Sequence, residues 1–230
     1  MLNIVIGYDK NEPVAFHVLA HSIMSRASQP VCIIPLTLPT LRARKLYWRE
    51  NDSTQSTDFT YSRFLAPWIS GHQWGSDCIF MDCDMLCLTD IYEILEYRQH
   101  DTDVQVVKHD YTPNPSTKFL GQTQTTYPCK NWSSLMFFNS YRSAVRRLTP
   151  DYINTASAMD LHQFKWSKDG AIGSLPVEWN HLVGEYAPNP NAKIVHFTRG
   201  GPWFAEYADC EYAAEWQAEL KAATFAGKVG

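Results

Sequence analysis

The sequence predicts an α/β fold with a mixed, mainly parallel sheet flanked by helices, formed as a single domain over residues 1–230. Short apolar runs typical of buried strands alternate with segments whose apolar residues recur at helical spacing, a pattern typical of such sheets. The length of 230 residues suits one domain, and a hydrophobic content of 45% is ample for a buried core. We find neither internal repeats nor a low-complexity linker.

The first half of the chain supplies three predicted strands and three predicted helices. The strands are "LNIVIG", "VCIIPL" and "CIFMD", and the helices are "EPVAFHVLAHSIMSRA", a segment from about Thr60 to Ile69, and the short "DIYEILEY". The first helix has Pro13 in its first turn, where proline is well tolerated. Continuous apolar runs indicate buried strands, whereas apolar residues three and four positions apart indicate helices.

The second half continues the alternation. Its strands are "VQVVK", "SSLMFFN" and "KIVHF", and its helices are "SYRSAVRRL", one that begins at Thr149 and Pro150, and "EYADCEYAAEWQAELKAA". The first two strands are separated by a long polar loop from His109 to Trp132. Because long structureless connectors are uncommon in compact domains, we expect this loop to be functional or to contain a hairpin.

Charge and composition exclude some classes of protein. A net charge of −4 argues against nucleic acid as a partner. The sequence has neither an apolar leader at Met1 nor an apolar run of the ~18 residues that a membrane span requires. We therefore expect a cytoplasmic protein with reduced cysteines and without a membrane span, for which peripheral membrane association remains open.

Two aspartates, Asp82 and Asp84, follow the buried strand "CIFMD" directly. Alternate residues of a strand project on one face, roughly 6.5 to 7 Å apart, so two such carboxylates can converge on one ion. Open α/β sheets bind ligands at the carboxyl ends of their strands. Spacing alone leaves two interpretations open, a metal or nucleotide site and capping of the following turn. By contrast Asp101 and Asp103 lie in a polar run and predict a solvated loop.

The order and spacing of several motifs resemble the family 8 retaining glycosyltransferases, which include glycogenin and bacterial lipopolysaccharide galactosyltransferases. The motifs are "IVIGYDKNEPVAFHVLAHSI", "FTYSRFLAPWI", "CIFMDCDMLCLTDI", "SSLMFFN", "DGAIGSLPVEWN" and "KIVHFTRGGPWF". The resemblance spans nearly the whole chain. It implies a GT-A fold, the Rossmann-like fold of nucleotide-diphospho-sugar transferases, and a uridine diphosphate sugar (UDP-sugar) as donor.

The resemblance also implies a metal site. Asp82 and Asp84 match the family's metal-binding pair, and His196 matches its third protein ligand. A strand histidine with no such resemblance is more often a hydrogen-bonded core residue. Two carboxylates and one imidazole suit Mn²⁺ better than Mg²⁺, although Mg²⁺ is possible.

Further residues match the nucleotide-binding positions of the family. Asp9 resembles the acid that binds base and ribose, with Gly7 and Tyr8 lining the same pocket, and Arg63 resembles an arginine that reaches nucleotide and sugar. Asp9 could instead cap a turn or helix, and Arg63 could form a surface salt bridge. The resemblance also places Cys83, between the two aspartates, and the Pro202 and Trp203 loop beside the donor. The aromatic rings of Trp203 and Trp179 are candidates for contact with ligand.

Three positions depart from the family pattern. The usual lysine before the Pro-Trp pair is Gly201 here, and Arg199 is a possible replacement. An Asn-Ala-Gly segment near the donor sugar is replaced by residues 131–134, "NWSS". The family usually has an amide residue after the acceptor-side aspartate, Asp169, but here that residue is Gly170. Asp169 is therefore the candidate catalytic residue.

These expectations combine into one functional hypothesis. The chain is predicted to be a metal-dependent retaining glycosyltransferase that moves a hexose from a UDP-sugar to a saccharide or glycan acceptor. One alternative is a sugar nucleotidyltransferase, although "GYDKNEPVA" is a poor match to the glycine-rich basic loop that such enzymes need. Another is a catalytically silent protein that binds nucleotide sugars or carbohydrates.

Overall fold

The structure is a computed structural model that describes residues 1–50, 55, 57–71, 77–110, 129–167 and 171–224. Its nine strands are β1 (Leu2–Gly7), β2 (Val31–Leu36), β3 (Cys78–Met81), β4 (Met85–Cys87), β5 (Val104–Val107), β6 (Leu135–Phe138), β7 (Ile172–Leu175), β8 (His181–Leu182) and β9 (Ile194–His196). Every strand predicted from the sequence is present. The short strands β4, β7 and β8 were not predicted, because two to four residues are too few to show a periodicity.

Six strands form the central sheet in the order β2-β1-β3-β6-β5-β7. β1 is parallel to β2 and β3, β5 is parallel to β7, and β6 alone runs antiparallel to its neighbours β3 and β5. The structure thus confirms the predicted mixed, mainly parallel sheet. The carboxyl ends of β1, β3, β5 and β7 consequently share one edge with the amino end of β6.

A second sheet, of three strands in the order β4-β9-β8, continues from that edge. The chain leaves β3, makes a turn through residues 82–84 and enters β4, which pairs antiparallel with β9. In this register Met85 lies opposite His196. The backbone N–H of Phe197 also donates to the carbonyl of Asp84 (2.8 Å). Pairing between β4 and β9 therefore brings His196 beside the two aspartates.

In the part of the chain that the structure describes, seven α-helices flank the sheets. They are α1 (Pro13–Arg26), α2 (Leu38–Ala43), α3 (Ala66–Ile69), α4 (Ser143–Arg146), α5 (Pro150–Thr155), α6 (Ala158–His162) and α7 (Ala213–Thr224). The helix predicted from about Thr60 to Ile69 is a 3₁₀ segment, Ser62–Leu65, followed by α3. The segment "DIYEILEY" also forms a 3₁₀ helix, Ile91–Tyr97. The predicted C-terminal helix begins later than expected, since Tyr212 takes a left-handed φ of 62° just before α7.

Helix α1 joins the two sheets. One face packs into the main core through Phe16, Leu19 and Ile23. Val18, on its other side, belongs to a second apolar cluster that includes Trp216 of α7. Both clusters bury this helix, and the loop before it lies at the edge that carries the carboxyl ends of the parallel strands.

Two predictions made from local sequence were wrong. Asp103 does not lie in a solvated loop: it is buried and accepts hydrogen bonds from Arg142 Nε (2.9 Å) and Ser167 Oγ (2.7 Å). Trp179 is not available to a ligand, because it is fully buried and its ring is covered by Lys193 Nζ at 5.0 Å from the centroid. Both outcomes depend on neighbours far away in the sequence.

None of the helices in the described ranges is both long and apolar enough to cross a membrane. All six cysteines lie in these ranges, and none of them is in a disulfide.

Candidate metal and nucleotide site

Three predicted metal ligands meet at the carboxyl edge of β3. Asp82 and Asp84 lie in the turn between β3 and β4, His196 ends β9, and one ligand atom from each lies within 4.8 Å of the others. The exposed fractions are 8%, 9% and 2% respectively, so all three side chains are buried. The structure thus assembles residues that are more than a hundred positions apart in the sequence.

The imidazole of His196 has two different neighbours. Its Nε2 lies 3.3 Å from Asp84 Oδ1, and its Nδ1 lies 3.0 Å from Asn180 Oδ1. Asn180 is fully buried and donates through Nδ2 to Ser134 Oγ (2.8 Å). The sequence shows Asn180 only as part of the motif "PVEWN", without a reason to single it out.

Arg63 forms a buried ion pair with Asp82. Arg63 Nη1 lies 2.9 Å from Asp82 Oδ1 and donates to the carbonyl of Ser133 (3.0 Å). The guanidinium carbon lies 5.2 Å and 5.3 Å from the ring centroids of Phe59 and Phe80. The possibility that Arg63 forms a surface salt bridge is therefore wrong. A cation between two rings and a carboxylate holds that carboxylate in one orientation.

His162 of α6 supports the same arginine from the side. Its Nδ1 lies 3.1 Å from Ser133 Oγ, which Arg63 Nη1 also approaches at 3.4 Å. Its ring packs edge-on against Phe64, with centroids 5.4 Å apart. Burial, together with the positive charge of Arg63, lowers the pKa of His162 from 6.5 to about 3. The imidazole is thus neutral at physiological pH.

Asp9 accepts two backbone hydrogen bonds. The N–H of Asn11 donates to Oδ1 (2.8 Å) and the N–H of Asp58 donates to Oδ2 (3.0 Å). The first of these is an Asx turn, so the turn-capping interpretation of Asp9 is present in the structure. The cap residue of α1 is Glu12 instead. Each carboxylate oxygen can accept a further bond, so this geometry is also compatible with a ligand contact.

Gly7 and Tyr8 precede Asp9 at the end of β1. A Cβ atom added to Gly7 would lie 2.6 Å from the Phe59 ring, so a larger residue would displace this ring from Arg63. Tyr8 is half-buried and packs edge-on against Phe16, with centroids 5.6 Å apart. Both residues thus lie at the predicted edge of the sheet.

Glu12 is a site residue that the sequence did not reveal. It is buried, and the Cys83 thiol lies 3.7 Å from its Oε1. Burial, with the charges of Asp84 and Asp9, raises its pKa from 4.5 to about 9. A glutamate just before a helix is normally a solvated capping residue. Glu12 differs from such residues only in its burial, which the sequence does not show.

The charges around the cluster fit a dication. Asp82 and Asp84 bring two negative charges into a buried space, where Arg63 is the cation in contact with Asp82. Burial is the main cause of the raised pKa of Glu12, and the negative charges of Asp84 and Asp9 raise it further. Two carboxylates and an imidazole suit Mn²⁺.

The late loop after β9 carries Trp203, whose indole lies beside Glu12. A Cβ atom added to Gly201 would lie 2.0 Å from the Trp203 ring, and Gly200 has a φ of 134°, so the backbone here needs glycine. Trp203 is half-buried and packs against Trp216, with centroids 5.1 Å apart. Arg199 Nε donates to Glu185 Oε1 (3.0 Å).

Two further predicted features lie outside the described residues. These are the candidate catalytic Asp169, with its neighbour Gly170, and residues 111–128 of the long loop. The beginning of that loop is described. There His109 Nδ1 lies 2.9 Å from the hydroxyl of Tyr186, and burial with the nearby His196 and His181 lowers the pKa of His109 to about 3.

Solved structures show which fold this is. The chain superposes on the bifunctional glycosyltransferase WbbM (TM-score 0.61, 16% identity, 95% of this chain and 49% of that chain). It also superposes on the Streptococcus pneumoniae glycosyltransferase GlyE (0.62, 10%, 95% and 59%). The galactosyltransferase LgtC, in complex with donor and acceptor sugar analogs, aligns over 98% of both chains (0.55, 11%). The chain thus spans about half the length of WbbM, and its fold is the GT-A fold.

Sequence comparison gives a nearer relative. No family model matches the chain. It is 43% identical over 224 residues to the Arabidopsis thaliana protein named Protein CDI, covering 95% of this chain and 85% of that protein. Identity at this level over nearly the full length shows common descent, and the chain therefore belongs to the same family as Protein CDI.

Proposed function

We propose that this protein is a metal-dependent retaining glycosyltransferase that transfers a hexose from a UDP-sugar to a saccharide or glycan acceptor. One observation carries the proposal, the buried cluster of Asp82, Asp84 and His196 at the ligand edge of a GT-A fold. Together with the sequence motifs, this cluster supports membership of the family 8 glycosyltransferases. LgtC, which has the same fold, was solved with donor and acceptor sugar analogs.

The metal would be held by the two carboxylates and by His196 Nε2, with Mn²⁺ preferred and Mg²⁺ as the second candidate. When bound, such a dication supplies Lewis-acid stabilisation of the leaving diphosphate. The contribution of the chain is to fix the ligands beforehand. Arg63 orients Asp82 by a 2.9 Å contact, and β4 pairing holds Asp84 opposite β9.

The nucleotide end of the donor would lie along the edge from β1 to β3. Gly7 and Tyr8 line this edge, and Asp9 accepts ribose or base donors in addition to its two backbone bonds. The contacts of Arg63 favour a different role from the direct nucleotide contact expected from its resemblance, because its guanidinium is already directed at Asp82 and Ser133. We therefore assign Arg63 mainly to the orientation of a ligand carboxylate.

The diphosphate would be covered by the late loop. Trp203 and Pro202 lie in this loop, and Arg199 lies near its start, where it replaces the missing lysine at Gly201. Arg199 Nε is held by Glu185, which directs the guanidinium and leaves its terminal nitrogens as phosphate donors. Cys83 lies between Asp82 and Asp84, its thiol is in contact with Glu12, and we expect its backbone to lie beside the donor.

For the transfer itself we propose substitution on the front face of the sugar. A double displacement needs a nucleophile opposite the leaving group, and Gly170 offers no side chain. The acceptor hydroxyl attacks the anomeric carbon as the bond to the diphosphate breaks, and a diphosphate oxygen takes the acceptor proton. Asp169 would hold the donor sugar by hydrogen bonds.

Donor hydrolysis with and without metal tests the proposal. Chelator-treated protein is incubated with several UDP-sugars, and free sugar and UDP are measured after Mn²⁺ or Mg²⁺ is added. We expect slow hydrolysis that Mn²⁺ restores best and that Asp84→Asn with His196→Ala abolishes. Pyrophosphate chemistry instead would indicate a nucleotidyltransferase, and absence of turnover with intact UDP binding would indicate a silent binder.

The stereochemical part needs a separate measurement. An acceptor array identifies the saccharide, and proton NMR of the product gives its anomer. We expect retention, with no sugar adduct on Asp169 in intact mass spectra of protein trapped with a fluorinated donor. An adduct on Asp169 would contradict the front-face route, and an inverted product would contradict the retaining assignment.

A further inference from the structure

Asn180 connects the metal cluster to the turn before β6. Its side chain is fully buried between His196 and Ser134, with its Oδ1 3.0 Å from His196 Nδ1 and its Nδ2 2.8 Å from Ser134 Oγ. Ser134 lies in the 3₁₀ turn Trp132–Ser134, which leads into β6. This connection therefore ties the ligand on β9 to the central sheet.

Donor and acceptor roles along this chain of contacts follow from its far end. Ser134 Oγ donates its hydrogen to the carbonyl of Asn131 (2.7 Å), since a carbonyl can only accept. A hydroxyl carries one hydrogen, so Ser134 must accept from Asn180. The Asn180 amide thus presents its NH₂ group to Ser134 and its oxygen to His196.

The same reasoning determines which nitrogen of the His196 imidazole carries the hydrogen that faces Asn180. An amide oxygen only accepts, so His196 Nδ1 carries a hydrogen; a histidine that binds a metal is neutral, so in that form Nε2 carries a lone pair. That lone pair faces Asp84 Oδ1 at 3.3 Å. Two electron-rich atoms at this separation repel each other, and a dication placed between them converts the repulsion into coordination.

We infer that Asn180, held by Ser134, is a positioning residue that fixes His196 in the Nδ1-protonated tautomer and so presents Nε2 to the metal. The inference rests on the metal site proposed above. Histidine ligands commonly donate their other N–H to a neighbouring acceptor, and loss of that acceptor typically lowers metal affinity by ~10- to 100-fold. Here the acceptor is an amide whose own orientation is set by a serine.

The first measurement needs no metal. Long-range ¹⁵N–¹H correlation spectra of histidine-labelled, metal-free protein are recorded at about pH 8, above the ordinary histidine pKa. His196→Gln identifies the His196 signals. We expect wild-type His196 to be protonated on Nδ1 and Asn180→Ala to shift the population toward the Nε2-protonated form. A wild-type ring protonated on Nε2 would overturn the inference.

The second measurement is Mn²⁺ affinity by electron paramagnetic resonance. We expect Asn180→Ala to bind Mn²⁺ about 10- to 100-fold more weakly. The loss should be smaller in Ser134→Ala, where the Asn180 amide remains but is no longer held by the serine. Asn180→Asp should remain near wild type, because its carboxylate accepts the same N–H. It also provides a test if the alanine variant does not fold.

A matched control is Asn154→Ala. Asn154 also anchors distant segments, with its Oδ1 accepting from Trp48 N and Arg49 N (2.6 and 3.0 Å), but it lies outside the metal cluster. Its Mn²⁺ affinity should equal that of wild type. Equal affinities in wild type and in both Asn180 variants would overturn the inference.

The two measurements separate this inference from the proposed function. A wild-type protein that binds no Mn²⁺ but has His196 protonated on Nδ1 would remove the metal site and leave the tautomer assignment standing. A wild-type protein that binds Mn²⁺ but has metal-free His196 protonated on Nε2 would support the metal site and remove the tautomer assignment.

Discussion

Arg63 and Asp82 form a buried ion pair, with Nη1 2.9 Å from Oδ1, and Asp82 is one of the three residues of the candidate metal cluster. Removal of one partner leaves the other charge buried without compensation. We expect Arg63→Ala to lower the free energy of unfolding by about 3 to 5 kcal/mol. Denaturant unfolding in the presence of chelator measures this.

The double variant Arg63→Met with Asp82→Asn is the control for that prediction. It removes both charges, so it should be less destabilised than Arg63→Ala. If Arg63→Ala is as stable as wild type, the pair does not hold the site, and the nucleotide contact expected from the family resemblance becomes the better assignment for Arg63.

Asp9 gives a prediction in which binding and stability can be separated. Its carboxylate accepts from the backbone of Asn11 and Asp58 and, in our proposal, from the nucleotide. A charged hydrogen bond is typically worth ~1.5 to 3 kcal/mol, so Asp9→Ala should weaken UDP binding by roughly ten- to more than a hundredfold. Calorimetry measures the affinity. Unchanged affinity in a less stable variant would restrict Asp9 to holding the loop.

Glu12 predicts a loss of stability at alkaline pH. Its pKa rises from 4.5 to about 9 on folding, so between these values the folded protein binds a proton that the unfolded chain releases. This contribution to stability is present below about pH 4.5 and is lost as the pH rises toward 9. Glu12→Gln removes the titration. With chelator present, wild type should lose at least about 2 kcal/mol more of its free energy of unfolding than Glu12→Gln between about pH 5 and pH 9.

Equal pH dependence of stability in wild type and Glu12→Gln would contradict this assignment. If wild type and Glu12→Gln show parallel pH profiles over that range, the carboxyl group ionises in the folded state without cost. Glu93 offers a matched control, because it is a surface glutamate paired with Lys193 and its pKa is lowered. Glu93→Gln should show no such gain at high pH.

His162 predicts the reverse behaviour in acid. Its pKa falls from 6.5 to about 3 on folding, so the unfolded chain binds the proton more tightly. The corresponding stability is present above about pH 6.5 and is lost as the pH falls toward 3. Each pH unit in this window is worth about 1.4 kcal/mol. His162→Gln should therefore lose about 2 kcal/mol less than wild type between about pH 6.5 and 4.5.

Urea unfolding at several pH values checks the His162 prediction. The exposed His17→Gln variant is the control, because its imidazole is solvated in both the folded and the unfolded chain. If His162→Gln loses stability in acid as steeply as wild type, the ring is not held neutral beside Ser133.

Local sequence was enough to predict the main strands and the first helix. Residues 2–7 and 78–81 are apolar runs whose burial does not depend on which neighbour covers them. The aspartates after the second run could be assigned to a ligand edge, because parallel strands carry their ligands at their carboxyl ends. The same reasoning missed β4, β7 and β8, which exist only because a partner strand pairs with them.

Burial of polar residues could not be read in this way. Asp103 and Glu12 resemble solvated acids in the sequence, and Arg63 could have been a surface residue. Each is buried because distant segments supply its partners or its walls: Arg142 for the first, Cys83 for the second and Phe80 with Asp82 for the third. These neighbours are set by topology, which local patterns do not encode.

The sequence by itself determined the type of sheet, and it predicted a metal and nucleotide-sugar site at the carboxyl edge of that sheet. Tertiary structure decided that Asp82, Asp84 and His196 share one buried space, that Arg63 is directed at Asp82, and that Asn180 lies within hydrogen-bond distance of the imidazole. The reason is physical: apolar periodicity reports how much surface a segment must bury, whereas the orientation of a charged or polar side chain depends on hydrogen-bond partners supplied by other strands.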